Sequence, residues 1–501
     1  MVFALQLTAL VAVLELLLWL PPIWKIRKYW ANQLLTLIAV SSVWLVAVHY
    51  TAATLLLLIL GCYRFFNMLR VVRERMHEDY LKRVTRTTGL ILILLQLAVC
   101  AIWWLTAHYR IAGEAEWLIV SVAILVVSLV LFFSTVRHVR TTRPPATLQS
   151  FTDRDLPSLT VAVPARNETD DLEQCLRTLI ASDYPKMEIL VLDDSSQNRR
   201  TPEIIRSFAH DGVRFIEGKE IRENWLAKNQ AYQQLMDEAT GEYILFCGVD
   251  VRFEAGSLRA LVSSLLQKKK SMISVMPKNI VSPASGGKYP SLIQPMRYAW
   301  ELSLPRRFFR RPPVLSSCWL INRKSLESAG GFAAVGRSVV PESYFARTTS
   351  LHDGYSFMRS NDTLGITSTK KTSDQLETMI RTRYPQVHRR PEQVAMLTIA
   401  EGGTLVLPFV LFIVSLFQNG YAAVQLVTLL AIFALVGFYT IVASLTYQKP
   451  LPSSIFVLPI AGVVDIAVMN YSMFKYEFSE VFWKGRNVSM PVIHGTTKST
   501  T

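Results

Sequence analysis

Two blocks crowded with apolar positions flank a stretch of ordinary globular polarity. In the first block, 1–136, the hydrophobic runs are 5–20, 33–66, 90–105 and 117–133. The second run is too long for one membrane crossing of about twenty residues. His49-Tyr50-Thr51 divides it, so five helices are expected before the centre. In the second block, 396–475, the runs are 404–417, 423–445 and 455–473. The first of these is short and opens on Glu401-Gly402-Gly403, which leaves two or three crossings there. Between the blocks the period changes. Leu159-Thr160-Val161-Ala162-Val163, Glu188-Ile189-Leu190-Val191-Leu192 and Tyr243-Ile244-Leu245-Phe246-Cys247 are short β-rich runs, and a helical stretch to about Ile180 separates the first two. Strand, helix, strand within some thirty residues is the rhythm of a parallel sheet.

The pattern divides the chain into an N-terminal membrane region (1–143), a linker containing Pro144-Pro145 (144–156), a globular α/β domain (157–395), a C-terminal membrane region (396–478) and a tail (479–501). Composition agrees: 51% of residues are hydrophobic and the mean hydropathy is +0.28. The net charge of +15 would suit nucleic acid. However, Lys and Arg gather beside the apolar runs, at 25–28, 70–86 and 137–143, so membrane anchoring is expected and nucleic acid is not. The positive-inside rule puts these clusters, and the domain after them, on the cytoplasmic side of the plasma membrane, with the N-terminus outside. The first run lacks a basic n-region and reads as an anchor rather than a cleaved leader. Glu15 within it reads as a carboxylate facing other helices. No charge pairs stand out across the spans, which weighs against a transporter. The five cysteines show no metal-binding or disulfide spacing and read as free thiols.

In parallel sheets, ligands sit beyond the carboxyl ends of the strands. Three such ends here are polar or acidic: Asn167-Glu168, Asp193-Asp194 and Gly248-Val249-Asp250. Carboxylates in that position suit a divalent cation, Mg²⁺ or Mn²⁺, on a nucleotide diphosphate. Pro164-Ala165-Arg166-Asn167-Glu168 resembles the first-strand PxRNE loop of membrane-bound glycosyltransferase family 2. Val191-Leu192-Asp193-Asp194-Ser195-Ser196 resembles its DD[GS]S turn, and Asn224-Trp225-Leu226-Ala227-Lys228-Asn229 its GWxGK segment. Gly330-Gly331-Phe332 resembles its GG turn, and Phe482-Trp483-Lys484-Gly485-Arg486 a WKGR signature after the last helix. The likeness covers about 157–390 plus that signature, and is nearest to the ceramide and carotenoid glucosyltransferase-like branch.

The resemblance implies a Rossmann-like GT-A domain inserted between transmembrane helices. It also implies inverting transfer of a hexose from a nucleotide-diphosphate sugar, a UDP-sugar being the expected donor, to a lipid or membrane-bound envelope acceptor. Residue by residue, it puts Pro164, Asn167, Glu168, Asp193, Asp194 and Lys228 around the nucleotide sugar. Asp250 becomes the metal ligand. Two motifs depart from the family: Gly248 replaces the first acid of DxD, and Pro341-Glu342 replaces the ED pair, making Glu342 the expected general base. Arg381-Thr382-Arg383-Tyr384 partly echoes (Q/R)xxRW, which implies Arg383 at the leaving diphosphate and Tyr384 beside the acceptor. Trp300, in an Arg- and aromatic-rich segment (289–313) suited to a membrane interface, joins Trp483 and Arg486 as acceptor-side residues. Two alternatives stay open, a processive polysaccharide synthase and a degenerate scaffold that binds the nucleotide sugar without turnover.

Overall fold

A computed structural model describes residues 2–19, 27–48, 52–72, 79–108, 114–145, 147–223, 225–280, 292–303, 312–447 and 454–489. The β-branched runs of the centre become β1 (Leu159–Ala165), β2 (Met187–Asp193), β3 (Val213–Glu217) and β4 (Tyr243–Cys247). They are followed by β5 (Val251–Phe253), β6 (Met272–Met276), β7 (Lys278–Asn279), β8 (Cys318–Asn322), β9 (Tyr355–Arg359) and β10 (Ile366–Ser368). Seven of them form one sheet in the order β3-β2-β1-β4-β8-β6-β9, and β5-β10-β7 form a second, small sheet. β1 lies between β2 and β4 and runs parallel to both, whereas β8 is antiparallel to β4 and β6.

Alternation along each strand divides the core between the two faces. Val161 and Val163 of β1 pack with Leu172, Leu176 and Leu261 on one side. Ala162, with Ile244 and Phe246 of β4, packs against Tyr232, Trp319 and Phe332 on the other. Register decides where the polar ends fall. Ala165 pairs with Asp193, and Ala162 with Phe246. The segments 164–168, 193–196 and 248–250 therefore leave the sheet at the same edge.

Among the described residues, seven helical stretches are long and apolar enough to cross a membrane: Tyr29–Ala47, Thr54–Val72, Thr85–Trp104, Ala115–Thr141, Pro391–Ser415, Ala422–Thr446 and Val457–Phe478. Two expectations shift here. The first apolar run forms the helix Val2–Leu17, whose 16 residues fall short of a span. The run expected at 404–417 is longer than the sequence suggested. Pro391–Glu401 continues through a π-helical turn, Gly402–Val406, into Leu407–Ser415, so the membrane helix begins before the expected boundary at 395. The dividing residues 49–51 lie outside the described residues.

A third expectation is overturned. The membrane helices do carry charge pairs across one another. Glu15 Oε2 accepts from Arg64 Nε at 2.7 Å, and Arg64 Nη1 donates to Gln96 Oε1 at 2.6 Å. Arg70 is paired with Glu477. Sequence could not reveal these pairs because their members lie 49 to 407 residues apart. The objection to transport drawn from a lack of such pairs falls with it.

Candidate functional site

Two of the three strand ends are bound together by a hairpin from the far end of the chain. After the last membrane helix, β11 (Phe482–Trp483) and β12 (Arg486–Asn487) pair across Lys484 and Gly485. Both turn residues have positive φ (47° and 78°). That is the two-residue turn whose twist suits a hairpin, and glycine takes its second position without strain. The hairpin lands on the ends of β1 and β2. Lys484 Nζ pairs with Glu168 and donates to the Arg166 carbonyl at 3.0 Å. Arg486 Nη1 lies 2.6 Å from both carboxylate oxygens of Asp194, while Nη2 donates to the Asp194 carbonyl at 3.1 Å. Burial pushes the Asp194 carboxyl up, against the pull of Arg486 and Arg166.

The same loops stiffen one another locally. Asn167 sits in the left-handed region (φ 51°). Its backbone N–H donates to Ser196 Oγ at 2.8 Å, and its Oδ1 accepts from the Gln197 N–H at 2.7 Å. Asp193 Oδ1 accepts from the Ser196 N–H at 3.2 Å. Asn167, Asp193 and Asp194 are thus brought together, but each is committed to loop or hairpin contacts.

Beside this edge lies a cleft of about 150 Å³, walled by Pro164, Glu168, Gly248, Asp250, Trp483 and Lys484. Besides Lys484, four cations reach it from separate elements: Lys228 from helix Ala227–Glu238, Arg297 from Ile293–Leu302, Lys370 from the segment after β10, and Arg381 from Thr372–Gln386. Burial lowers Lys228, partly offset by Glu342. Burial likewise brings Lys370 down to about 8; Asp250 opposes that shift, and Arg297 and Arg381 add to it. Asp250 Oδ2 accepts from Ser368 Oγ at 3.0 Å, and its backbone carbonyl accepts from the Thr369 N–H at 2.9 Å. Glu168, Asp171, Asp374 and Glu377 line the cleft as well as Asp250, so the cations both offset these carboxylates and offer contacts to a multiply charged anion.

Glu342 stands in the first turn of helix Pro341–Ser350, where proline is well suited. It is buried behind the cleft wall, with Oε2 3.7 Å from Lys228 Nζ and without a hydrogen-bond partner among the described residues. Trp483 lines the cleft and also a neighbouring pocket of about 170 Å³ beneath the hairpin. Arg381 lies over the Trp483 ring, 4.9 Å from its centroid.

Two expected residues go elsewhere. Arg383 is fully buried against the membrane helices, where Nη2 donates to Asp465 Oδ1 at 2.6 Å and the guanidinium lies 3.8 Å from the Trp300 ring centroid. The cleft receives Arg381 in its place. Tyr384 is locked between Glu477, to which its hydroxyl donates at 2.6 Å, and Arg70, from which it accepts at 3.1 Å. It is not among the residues lining the charged cleft. Trp300 faces the membrane helices, donating to Asp465 Oδ2 at 3.0 Å. Residues 289–291 and 304–311 of the Arg- and aromatic-rich segment lie outside the described residues.

For a metal the fit is narrow. Among the described residues no three His, Cys, Asp or Glu side chains converge as a metal site. One carboxylate and a nearby hydroxyl suit a cation that keeps water and takes its remaining ligands from substrate phosphates. Asp250 therefore fits a Mg²⁺ or Mn²⁺ ion carried by a diphosphate.

Residues 160–330 match the model of glycosyl transferase family 2. A 4,4'-diaponeurosporenoate glycosyltransferase of Staphylococcus aureus is 29% identical over 125 residues, 25% of this chain and 32% of that protein. Glycosyltransferase AglE of Haloferax volcanii is 34% identical over 83 residues, 16% of this chain and 27% of its own length. The matches thus span about a third or less of these relatives. Among solved structures, a mannosyltransferase from Pyrobaculum calidifontis in complex with GDP-Man and Mn2+ aligns with a TM-score of 0.43 and 17% identity, over 72% of this chain and 98% of that one. The polar strand ends 164–168, 193–196 and 248–250 all lie within residues 160–330, the part of the chain that matches glycosyl transferase family 2.

Proposed function

We propose that this protein is a membrane-embedded, inverting glycosyltransferase. It would move a hexose from a nucleotide-diphosphate sugar, preferably a UDP-sugar, to the hydroxyl of a lipid or membrane-bound envelope acceptor. The observation that carries the reading is the convergence of Lys228, Arg297, Lys370 and Arg381 on a cleft that holds Asp250 at the carboxyl edge of the sheet. The basic clusters at the helix ends favour a cytoplasmic domain at the plasma membrane.

In this reading the nucleoside lies toward Asp193 and Asp194, and the diphosphate lies among the four cations. A divalent ion at Asp250, when bound, supplies further charge neutralisation on the diphosphate. Glu342 is masked by Lys228 in the empty cleft. A diphosphate draws the Lys228 ammonium toward itself and leaves Glu342 free to take the proton of the acceptor hydroxyl. The acceptor oxygen then bonds to the anomeric carbon as the sugar–phosphate bond breaks. The electron pair departs on the diphosphate, where the cations stabilise it.

The test is transfer of labelled sugar by purified full-length protein from a panel of UDP- and GDP-hexoses to a membrane lipid extract, with Mn²⁺. One donor yielding a single-sugar lipid product supports the reading. A long polymer would favour a polysaccharide synthase, and binding without turnover a scaffold.

Two further outcomes are expected. A methyl group at Gly248 would meet Asp250 Oδ1 at 2.6 Å, so Gly248→Ala must swing that carboxylate aside. Transfer should then fall about 10²-fold, as for a displacement of about 1 Å in a reacting site. Stability should change by only about 1 kcal/mol, because what moves is the end of a side chain. Thermal melting together with initial rates checks both. The second outcome concerns pH. Lys370 is charged below about 8, so nucleotide affinity should be full near neutrality and decline as pH rises through that value. Lys370→Arg should blunt the decline, because arginine keeps its charge, while Lys484, which also lines the cleft and is brought down to about 8 by burial, goes on titrating. Binding titrations between about pH 7 and about pH 9.5 measure it.

A further inference from the structure

Helix Thr372–Gln386 carries a proline, Pro385, next to its last residue. Proline has no backbone N–H, so the carbonyl four residues earlier loses its helical donor. That carbonyl belongs to Arg381, whose guanidinium enters the charged cleft. The missing donor comes from the last membrane helix: Tyr476 Oη, on Val457–Phe478, donates to the Arg381 carbonyl at 2.7 Å. One turn earlier on the same helix face, Ser472 Oγ accepts from the Tyr384 N–H at 3.2 Å and donates to the Ile380 carbonyl. Two hydroxyls of a membrane helix thus enter the hydrogen-bond ladder of the helix that bears Arg381.

A tyrosine at the end of a membrane helix ordinarily marks the lipid interface. Tyr476 is instead 8% exposed, and Arg389 lies over its ring, 4.6 Å from the centroid. Arg389 Nη2 also donates to the Ser489 carbonyl at 3.1 Å, just beyond the hairpin. The hairpin places Trp483 against the Arg381 guanidinium. Arg381 is therefore held at both ends, its backbone by the last membrane helix and its head by the hairpin that continues that helix. A carbonyl stripped of its donor would seek another partner and carry the Arg381 backbone with it.

We propose that Tyr476 is a positioning residue for Arg381. Its hydroxyl replaces the hydrogen bond that Pro385 removes, and so fixes the backbone from which the guanidinium reaches the leaving diphosphate. The proposal rests on the glycosyltransferase reading, in which Arg381 stabilises charge that grows on the diphosphate as the sugar departs.

The test measures sugar transfer and nucleotide binding, with UDP and GDP, by purified full-length Tyr476→Phe, which keeps the ring and removes the hydroxyl. The kcat should fall about 10- to 100-fold, the scale of a displacement of about 1 Å, while the donor KM changes by about twofold or less. Nucleotide affinity should fall as well, because the free diphosphate bears the charge that develops in transfer. Tyr476→Phe should add little to Arg381→Ala, since both act through one guanidinium. The decisive variant joins Tyr476→Phe to Pro385→Ala, which returns a backbone N–H to the Arg381 carbonyl. Rate and nucleotide affinity should then recover toward the wild type, which simple damage to the fold would not allow. An undiminished kcat in Tyr476→Phe, a loss fully additive with Arg381→Ala, or no recovery with Pro385→Ala overturns the proposal. A wild type that binds nucleotide without transferring sugar would overturn the glycosyltransferase reading alone. The affinities would then decide: a loss in Tyr476→Phe restored by Pro385→Ala supports the positioning of Arg381, and an unchanged affinity overturns it. A wild type that neither transfers sugar nor binds nucleotide overturns both.

Discussion

Glu342→Gln is expected to lower glycosyl transfer by about 10²- to 10⁴-fold, the usual contribution of a positioned general base. Nucleotide affinity should fall by no more than about tenfold, the loss of one charged contact, since the residue lies behind the cleft wall and acts on the diphosphate only through Lys228. Glutamine matches glutamate in shape, so the buried site keeps its volume and the helix Pro341–Ser350 keeps its packing. The carboxylate is the partner of Lys228 at 3.7 Å. Without it the buried lysine sheds its proton more readily, because burial penalises the charged form. The double variant with Lys228→Met should therefore cost little more in rate than the single change at 342. Comparing kcat and nucleotide affinity for the single and double variants checks this. Unchanged kcat in Glu342→Gln would remove the base from Glu342.

Two arginines two residues apart should fail in different ways. Arg381→Ala should lower transfer by about 10²- to 10³-fold, the loss typical when one charge-stabilising donor is removed from a transition state. The melting temperature should hardly move, because Arg381 borders an open cleft. Arg383→Ala, by contrast, strands Asp465, 1% exposed, without its cation. Breaking a buried pair from one side costs about 3–5 kcal/mol, a large share of a domain's stability. This variant should show poor yield and a lowered melting temperature. Initial rates with thermal melts on both proteins separate the two cases. A stable, inactive Arg383→Ala beside an active Arg381→Ala would reverse the assignment.

The same pair shows what could be read from the sequence and what could not. A helix turns 100° per residue, so positions 381 and 383 point to nearly opposite sides. The partial RTRY echo located the right helix but could not say which arginine faced the cleft. The β-branched runs did reveal β1, β2 and β4, because period-two burial is a local signal, and with them came Asp193, Asp194 and Asp250. The WKGR signature marked Lys484-Gly485 but not the hairpin they turn. Its landing on Glu168 and Asp194, some 300 residues earlier, depends on the path of the last membrane helix and has no local trace. Arg297 and Lys370 were missed for the same reason. Each is an unremarkable basic residue in its own segment and joins the cleft only through tertiary packing. Arg297 could have been suspected, lying just past the first turn of a helix otherwise apolar on the membrane side, but no motif marks Lys370.

The central claim is that the carboxyl edge of the sheet binds a nucleotide diphosphate. Calorimetric titration of the purified full-length protein with UDP and GDP in the presence of Mn²⁺ tests it most directly, comparing the wild type with Asp250→Ala and Arg297→Ala. The account predicts saturable binding of one nucleotide by the wild type, weakened about tenfold or more in each variant, as expected when a charged contact is lost. Equal binding by all three proteins, or no binding of either nucleotide by the wild type, would contradict it.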